Sequence, residues 1–418
     1  MRIENISVRQ HESHTEVSGK IGKFPLWFKY SLGHATNDED ATSFLIAALT
    51  PAMLLGEELI IDDRYYVSEK VFNNLPLIQT VINCWNPVFK KITVHARTSA
   101  ALPGKTGCAA FFSSGVDSLY TLVKHQQEID QLILINGFDF NADPTAWDAM
   151  IRRSQRIAEI YAKRLIVVET NLKEFNSFFN LSRFANFGAT LATIAQLLDF
   201  KTVLVNSADT YERIFASGSH PLLDPLWSTE VCGIVHTGLE ADRAKKIQLI
   251  KDHPDALNNL WFCLKDPNAN CGKCSKCIRT YIALKLNGVD DFPFSSPVQI
   301  SDIAKVPIDN AEILSFFEKF RILASESHHD IERQLRKLIL EYKIKTFLKD
   351  IDTYLFNSRI QLWRRSRLNA QSELTNISVL PRYTDELMLD KTFRDLALGS
   401  TVESKVLSSS IFQARTFD

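Results

Sequence analysis

The chain has 418 residues, of which 45% are apolar and 23% charged, with a formal net charge of −1. This is the composition of a folded protein of two or three domains. The neutral balance excludes bulk electrostatic attraction to nucleic acid or to a membrane surface. The longest apolar run, residues 44–55, is too short to span a bilayer and contains Pro51. Met1-Arg-Ile-Glu-Asn-Ile lacks the apolar core of a signal peptide. Four of the seven cysteines are clustered. We therefore expect a cytoplasmic protein that uses thiols for metal binding, with no disulfide framework and no membrane partner.

Residues 1–105 read as an α+β domain. Alternation at residues 24–30 predicts a strand, and residues 41–55 a helix interrupted at Pro51. Residues 58–62 and 91–95 are further strand candidates. Asn37-Asp-Glu-Asp40 reads as a solvated loop or a helix start, and Cys84 as a core residue. Nothing here suggests chemistry.

Residues 106–298 alternate strands with helices, which argues for a doubly wound parallel sheet. Cys108-Ala-Ala-Phe-Phe112 is a run suited to a strand buried on both faces. Ser113-Ser114-Gly115 then makes a tight turn, and Val116, Asp117 and Ser118 open an amphipathic helix. A strand, a small-residue turn and a helix N-terminus form an anion cradle, because unpaired backbone N–H groups and the positive end of the helix dipole converge there. The serine hydroxyls add donors, and Asp117 is placed to hold a magnesium ion that accompanies phosphates. Gly104-Lys105-Thr106 is not a Walker loop: position 99 is Ser, and the tripeptide precedes the strand.

Further strands are predicted at 131–135, 165–168 and 202–205, with helices at 144–163 and 187–198. Ligands of such sheets sit beyond the carboxyl ends of the strands. That rule selects Asn136-Gly137-Phe138-Asp139, Thr170-Asn171 and Asn206-Ser207-Ala208-Asp209, where Gly137 would let a base approach the backbone. Residues 216–228 hold Ser, His220 and Asp224 in a loop rich in Pro and Gly. A serine-hydrolase triad is conceivable, but no Gly-x-Ser-x-Gly elbow is present. We read a loop that closes over an acceptor substrate, with His220 and Asp224 binding it or moving protons. Arg243, Lys245 and Lys246 follow on a helix, either reaching the phosphates or forming a solvated face.

Cys263, Cys271, Cys274 and Cys277 supply four thiolates, the set of a closed tetrahedral zinc site, with Gly272 allowing the turn inside it. A ferredoxin-type cluster would need a cysteine at position 281, which is Tyr.

Ser-Ser-Gly-Val-Asp-Ser resembles the Ser-Gly-Gly-x-Asp-Ser pyrophosphate loop of the N-type ATP pyrophosphatases, with Ser114 where that family usually has Gly. Together with Cys-x7-Cys-x2-Cys-x2-Cys and the trailing Arg279, the stretch from about 106 to 290 resembles the 7-cyano-7-deazaguanine synthase (QueC) family. The usual substrate-binding segment is replaced by Gly-Ser-His-Pro-Leu-Leu-Asp. The chain therefore looks like a divergent QueC-like protein of the kind found in antiphage systems such as Qat and some CBASS operons.

The resemblance implies an adenine-nucleotide α-hydrolase-like (HUP, PP-loop) fold with ATP, Mg2+ and Zn2+. It places Ser113, Ser114, Gly115, Val116, Asp117 and Ser118 on the pyrophosphate and Gly137 and Asp139 beside adenine, while Arg243 and Lys246 remain candidates for the phosphates. Ser113, Asp117, Asp209, His220 and Asp224 are the candidates for catalysis. The implied reaction adenylates a small carboxylate, 7-carboxy-7-deazaguanine or a relative, releases pyrophosphate and joins the acyl group to an amine. The amine is ammonia or, alternatively, the N-terminus of a partner protein from the same operon. A tRNA thiolase would need a reactive cysteine near the loop, which neither Cys108 nor Cys232 supplies. A non-catalytic zinc-bearing subunit is the remaining alternative, and a homodimer is possible in either case.

Residues 299–418 read as a helical region. Ile331, Leu335, Leu338, Tyr342 and Leu348 recur at helical spacing. Arg364, Arg365 and Arg367 around Trp363 are read as an exposed cationic face, not as a nucleic-acid contact. The tail beyond Gly399 is polar.

Overall fold

The sheet begins with a meander. β1 (Arg2–Gln10), β2 (His14–Ile21) and β3 (Phe24–Ser31) pair antiparallel in sequence. This computed structural model describes residues 1–31, 37–138, 144–263, 265–266, 268–308 and 311–356. The apolar run then forms α1 (Thr42–Leu55), which continues through Pro51. The expected interruption does not occur. Every residue from Thr42 to Leu54 is buried, and that packing outweighs a proline cost of roughly 3 kcal/mol. β4 (Leu59–Ile61) and β6 (Val94–His95) extend the sheet beside β1, while β5 (Tyr66–Ser68) pairs separately with β7 (Arg97–Ser99). Between them lies α2 (Glu69–Trp85), capped by Ser68, which accepts from the Val71 amide.

The middle of the chain supplies β8 (Cys108–Phe111), α3 (Val116–Lys124), β9 (Gln131–Asn136), α4 (Pro144–Ile160) and β10 (Arg164–Thr170). α5 (Leu172–Phe178), α6 (Arg183–Leu197), β11 (Thr202–Asn206), β12 (Gly233–Thr237), α7 (Arg243–Lys251) and α8 (Pro254–Asn258) follow. The strands join one mostly parallel ten-stranded sheet in the order β12-β11-β8-β9-β10-β3-β2-β1-β4-β6. Ile133 packs into the main core, whereas its neighbour Leu134 packs with Trp147 and Met150 of α4. Alternate strand residues thus meet helices on opposite faces, the pattern of a doubly wound sheet.

Residues 1–99 are not set apart from this sheet. β3 pairs antiparallel with the outer edge of β10, with Phe28 opposite Thr170. Side chains stitch the seam: Asn171 accepts from the Trp27 amide at 2.9 Å and donates to Pro25 O, while Thr170 donates to Trp27 O. The described residues form two compact units, one from Met1 to Trp261 and one beginning at Phe262. The first spans the boundary expected at 105, because an unpaired β10 edge is costly and the meander covers it. The second begins inside the stretch expected to form the middle domain.

The second unit is helical, with α9 (Ser275–Leu286), α10 (Ala311–Ala324) and α11 (His329–Phe356). Ile331, Leu335 and Leu338 are buried as their spacing predicts, but Leu348 is exposed. The arginines around Trp363 and the polar tail lie outside the described residues, as does Asp139. No helix among the described residues is long and apolar enough to cross a membrane.

Candidate nucleotide site and metal centre

Five parallel strands set the first site. Taken in chain order within this stretch, β8, β9, β10, β11 and β12 lie in the order fifth-fourth-first-second-third across the sheet. The chain leaves β8 in both directions, so β8 and β11 flank the point where strand order reverses. Ligands of open α/β sheets bind at the carboxyl ends of strands on either side of such a point.

The turn from β8 to α3 stands there. Ser114 has φ +59°, in the left-handed region that favours glycine. The Ser–Gly difference noted in the sequence thus falls where the backbone itself calls for glycine. The turn is tied from behind by the Trp261 amide, which donates to Ser114 O at 2.8 Å. Gly115 caps α3 without a side-chain hydrogen bond to the first turn, and helix N-termini of this kind receive anions. Ser118 Oγ donates to Gly115 O and accepts from the Ser113 amide.

Two polar atoms at this corner lack a partner among the described residues. Ser114 is 1% exposed and its Oγ is unbonded. Asn206, at the end of β11, donates to Phe111 O at 2.7 Å but leaves its buried Oδ1 unbonded. Such atoms are unusual in a folded interior. A Cβ on Gly115 would have Ser113 Oγ at 3.3 Å and Trp261 O at 3.9 Å as its nearest neighbours. A methyl group at Gly115 would thus require only the Ser113 side chain to shift.

α7 brings cations to the corner. Lys246 is 1% exposed; its Nζ donates to Asp117 Oδ1 at 2.7 Å and to Ser207 O. Arg243 lies 3.7 Å from Asp117 Oδ2. Lys245, on the other face, is exposed. Lys246 and Arg243 set two cations beside the Asp117 carboxylate, the donor types that bind phosphate.

The other predicted residues take different places. Gly137 has φ +81°, and a Cβ there would lie 1.7 Å from Thr170 O. Contact between neighbouring strand ends already demands glycine, whatever a base might require. Asp209 lies 4.0 Å from Arg213, and its amide donates to Ser207 Oγ. His220 and Asp224 are buried, at 6% and 1% exposure, so this part of the loop is packed into the fold. His220 sets its ring edge against Trp85, and its Nδ1 accepts from the Leu222 amide at 3.0 Å. Burial pushes its pKa down. Asp224 accepts from Ser219 Oγ and from His236 Nδ1. The sequence reading missed His236 because it missed β12, although Gly233-Ile-Val-His-Thr237 ahead of Gly238 carries the alternation of an edge strand.

The second site lies in the other unit. Sγ of Cys263 is 4.0 Å from that of Cys274, and Sγ of Cys271 is 3.8 Å from that of Cys277. All four sulfurs lie within 4.8 Å of one another. Zinc with Zn–S bonds of about 2.3 Å needs tetrahedral edges of about 3.8 Å, so the four cysteines fit a metal such as zinc. Amides of Lys265 and Asp266 point at Cys263 Sγ, and that of Lys273 at Cys271 Sγ, which suits thiolate ligands. Cys108 and Cys232 lie elsewhere as single thiols. Burial pushes Cys108 up to about 11 and raises Cys232, so neither is a reactive thiolate at neutral pH.

No protein-family profile, curated protein or solved structure matches this chain.

Proposed function

We propose that this chain is a QueC-like, ATP-dependent ligase of the HUP (PP-loop) class, built around the β8–α3 corner. One observation carries the reading: an uncapped helix N-terminus at the reversal of strand order, faced by buried Lys246 and by Arg243. The positive φ of Ser114 supports it, since that backbone geometry suits the glycine of the pyrophosphate loop. The unbonded Ser114 Oγ and Asn206 Oδ1 fit a bound polar ligand.

In this reading the leading amides of α3 and the Ser113 hydroxyl hold the β- and γ-phosphates of ATP. A substrate carboxylate attacks the α-phosphate, forming an acyl-adenylate, and pyrophosphate leaves against preorganised donors. Lys246 and Arg243 neutralise the charge that develops on the leaving group, and Asp117 positions them. An amine then displaces AMP to give an amide. The carboxylate is 7-carboxy-7-deazaguanine or a relative. The four cysteines hold zinc as a closed structural clip, and every proposed chemical step takes place in the first unit.

Carboxylate-dependent exchange of labelled pyrophosphate into ATP tests the reading. Exchange is expected with 7-carboxy-7-deazaguanine and is expected to disappear in Lys246→Met. A folded, zinc-loaded chain that catalyses no exchange with any carboxylate in a broad panel would be a non-catalytic subunit. Intact-mass analysis of a co-expressed neighbouring protein separates the acceptors: a deazaguanine-sized adduct identifies a protein amine, whereas its absence alongside active amide synthesis identifies ammonia.

A further inference from the structure

We propose that His236, oriented by the buried carboxylate of Asp224, accepts the proton released when the amine attacks the acyl-adenylate. This rests on the ligase reading and assigns the base for its second half.

His236 is the penultimate residue of β12, paired with Val205 of β11. The next residue, Thr237, accepts through its carbonyl from the Ser207 amide at 2.8 Å. A Cβ on Gly238 would lie 3.7 Å from Lys246 Nζ. The backbone of the strand end that carries His236 therefore borders the phosphate corner.

Asp224 has no Lys or Arg partner among its described contacts. Its Oδ2 accepts from Ser219 Oγ at 2.8 Å and from His236 Nδ1 at 2.7 Å, and its Oδ1 accepts from the His220 amide at 3.2 Å. Helix α6 makes room for it: a Cβ on Gly188 would stand 2.2 Å from Asp224 Oδ1. With its Nδ1 proton on Asp224, His236 presents Nε2 as a lone-pair acceptor. No described residue bonds Nε2, although the side chain is only 6% exposed.

The neighbouring groups do not compete for this role. The titratable groups packed with His236 are Asp224 and His220. His220 already uses Nδ1 on the Leu222 amide and is pressed against Trp85. Ser219 gives its proton to the carboxylate, not to a histidine, so this is not the serine–histidine–aspartate relay of a hydrolase. A buried carboxylate that fixes an imidazole tautomer is the arrangement of a general base.

The step balances. The amine nitrogen attacks the acyl carbon and a C–N bond forms. The C–O bond to AMP breaks, and AMP leaves with that electron pair. The nitrogen's proton passes to His236 Nε2 and from there to solvent.

The test uses the full chain with ATP, 7-carboxy-7-deazaguanine and either ammonium or hydroxylamine. His236→Asn keeps a donor for Asp224 and removes the base. The variant is expected to melt with the wild type and keep pyrophosphate exchange within about 2-fold, since the first half-reaction needs no such base. It should lose roughly 100-fold or more in amide formation from ammonium. Hydroxylamine, whose weakly basic nitrogen loses its proton to water once it has attacked, should restore much of the acyl transfer. His236→Gln is expected to behave in the same way. Asp224→Asn should retain exchange and lose part of the amide rate, as a positioning residue would. Full amide formation by either His236 variant would overturn the assignment while leaving the ligase reading intact. A wild-type chain without exchange would sink both.

Discussion

The two helix N-termini at the candidate sites are built alike and finished differently. α9 follows Cys274, a cysteine of the four-thiol cluster that makes no side-chain hydrogen bond to the first turn. α3 begins at Gly115, which offers its helix no side chain at all. Around α9 the four sulfurs close on one another and nearby amides point at two of them. Around α3 a left-handed serine, an unbonded buried hydroxyl and an unbonded buried amide oxygen remain. The thiol cluster has the arrangement of a closed metal site, whereas the turn before α3 keeps a strained backbone and unpaired polar atoms.

The severest challenge to that contrast is to open the closed site. Structural zinc contributes about 10–16 kcal/mol of apparent binding free energy in small domains. Cys274→Ser should therefore lose its metal and lower the melting of the helical unit, a larger loss of stability than any substitution at the nucleotide corner. Elemental analysis of the wild type checks the premise, with zinc expected and iron counting against it.

The open site should respond in function before stability. Lys246→Met removes the buried cation but leaves Arg243 beside Asp117, and turnover should fall roughly 100-fold or more. Gly115→Ala refines the contrast. Its Cβ meets only a serine hydroxyl and a more distant carbonyl, so melting should change little. If overpacking by one methyl carries its usual cost of about 1–3 kcal/mol, ATP affinity should fall roughly tenfold or more. Isothermal titration with ATP beside thermal melting separates the two effects.

A smaller effect comes from the loop packed behind the site. Burial lowers the pKa of His220, so the unfolded chain takes up this proton more readily than the folded one. The resulting stability is fully present above the ordinary histidine value of about 6.5 and is lost as pH falls from there through the lower folded-state value. Urea midpoints at pH 7.5 and 5.5 should differ less in His220→Asn than in the wild type. Smallest of all, Ser114→Gly should stabilise the fold by roughly 1 kcal/mol by relieving the left-handed conformation.

Much of this was legible in the residues. The Cys108–Ser118 stretch announced its strand, turn and helix through a small-and-aromatic run followed by small residues, and local chemistry of that kind survives folding. The cysteine spacing likewise carried its own geometry. Other features depended on distant partners. Nothing local to Asn171 says that it bonds Pro25 and Trp27, so it read as a polar strand end. Gly137 read as an opening for a base because the Thr170 carbonyl beside it is thirty-three residues away in sequence. The loop at 216–228 read as a cover because its prolines and glycine break any helical period, yet Asp224 within it is buried and bonded by Ser219 and His236. Pro51 failed to break α1 because burial, which a propensity argument does not weigh, governs that helix.

The decisive measurement for the β8–α3 corner is a structure of the full chain crystallised with ATP and a magnesium salt. We expect the β- and γ-phosphates over the amides of Val116, Asp117 and Ser118, with Lys246 and Arg243 turned toward them. A nucleotide bound at any other place, with the turn after β8 bare, would refute the assignment.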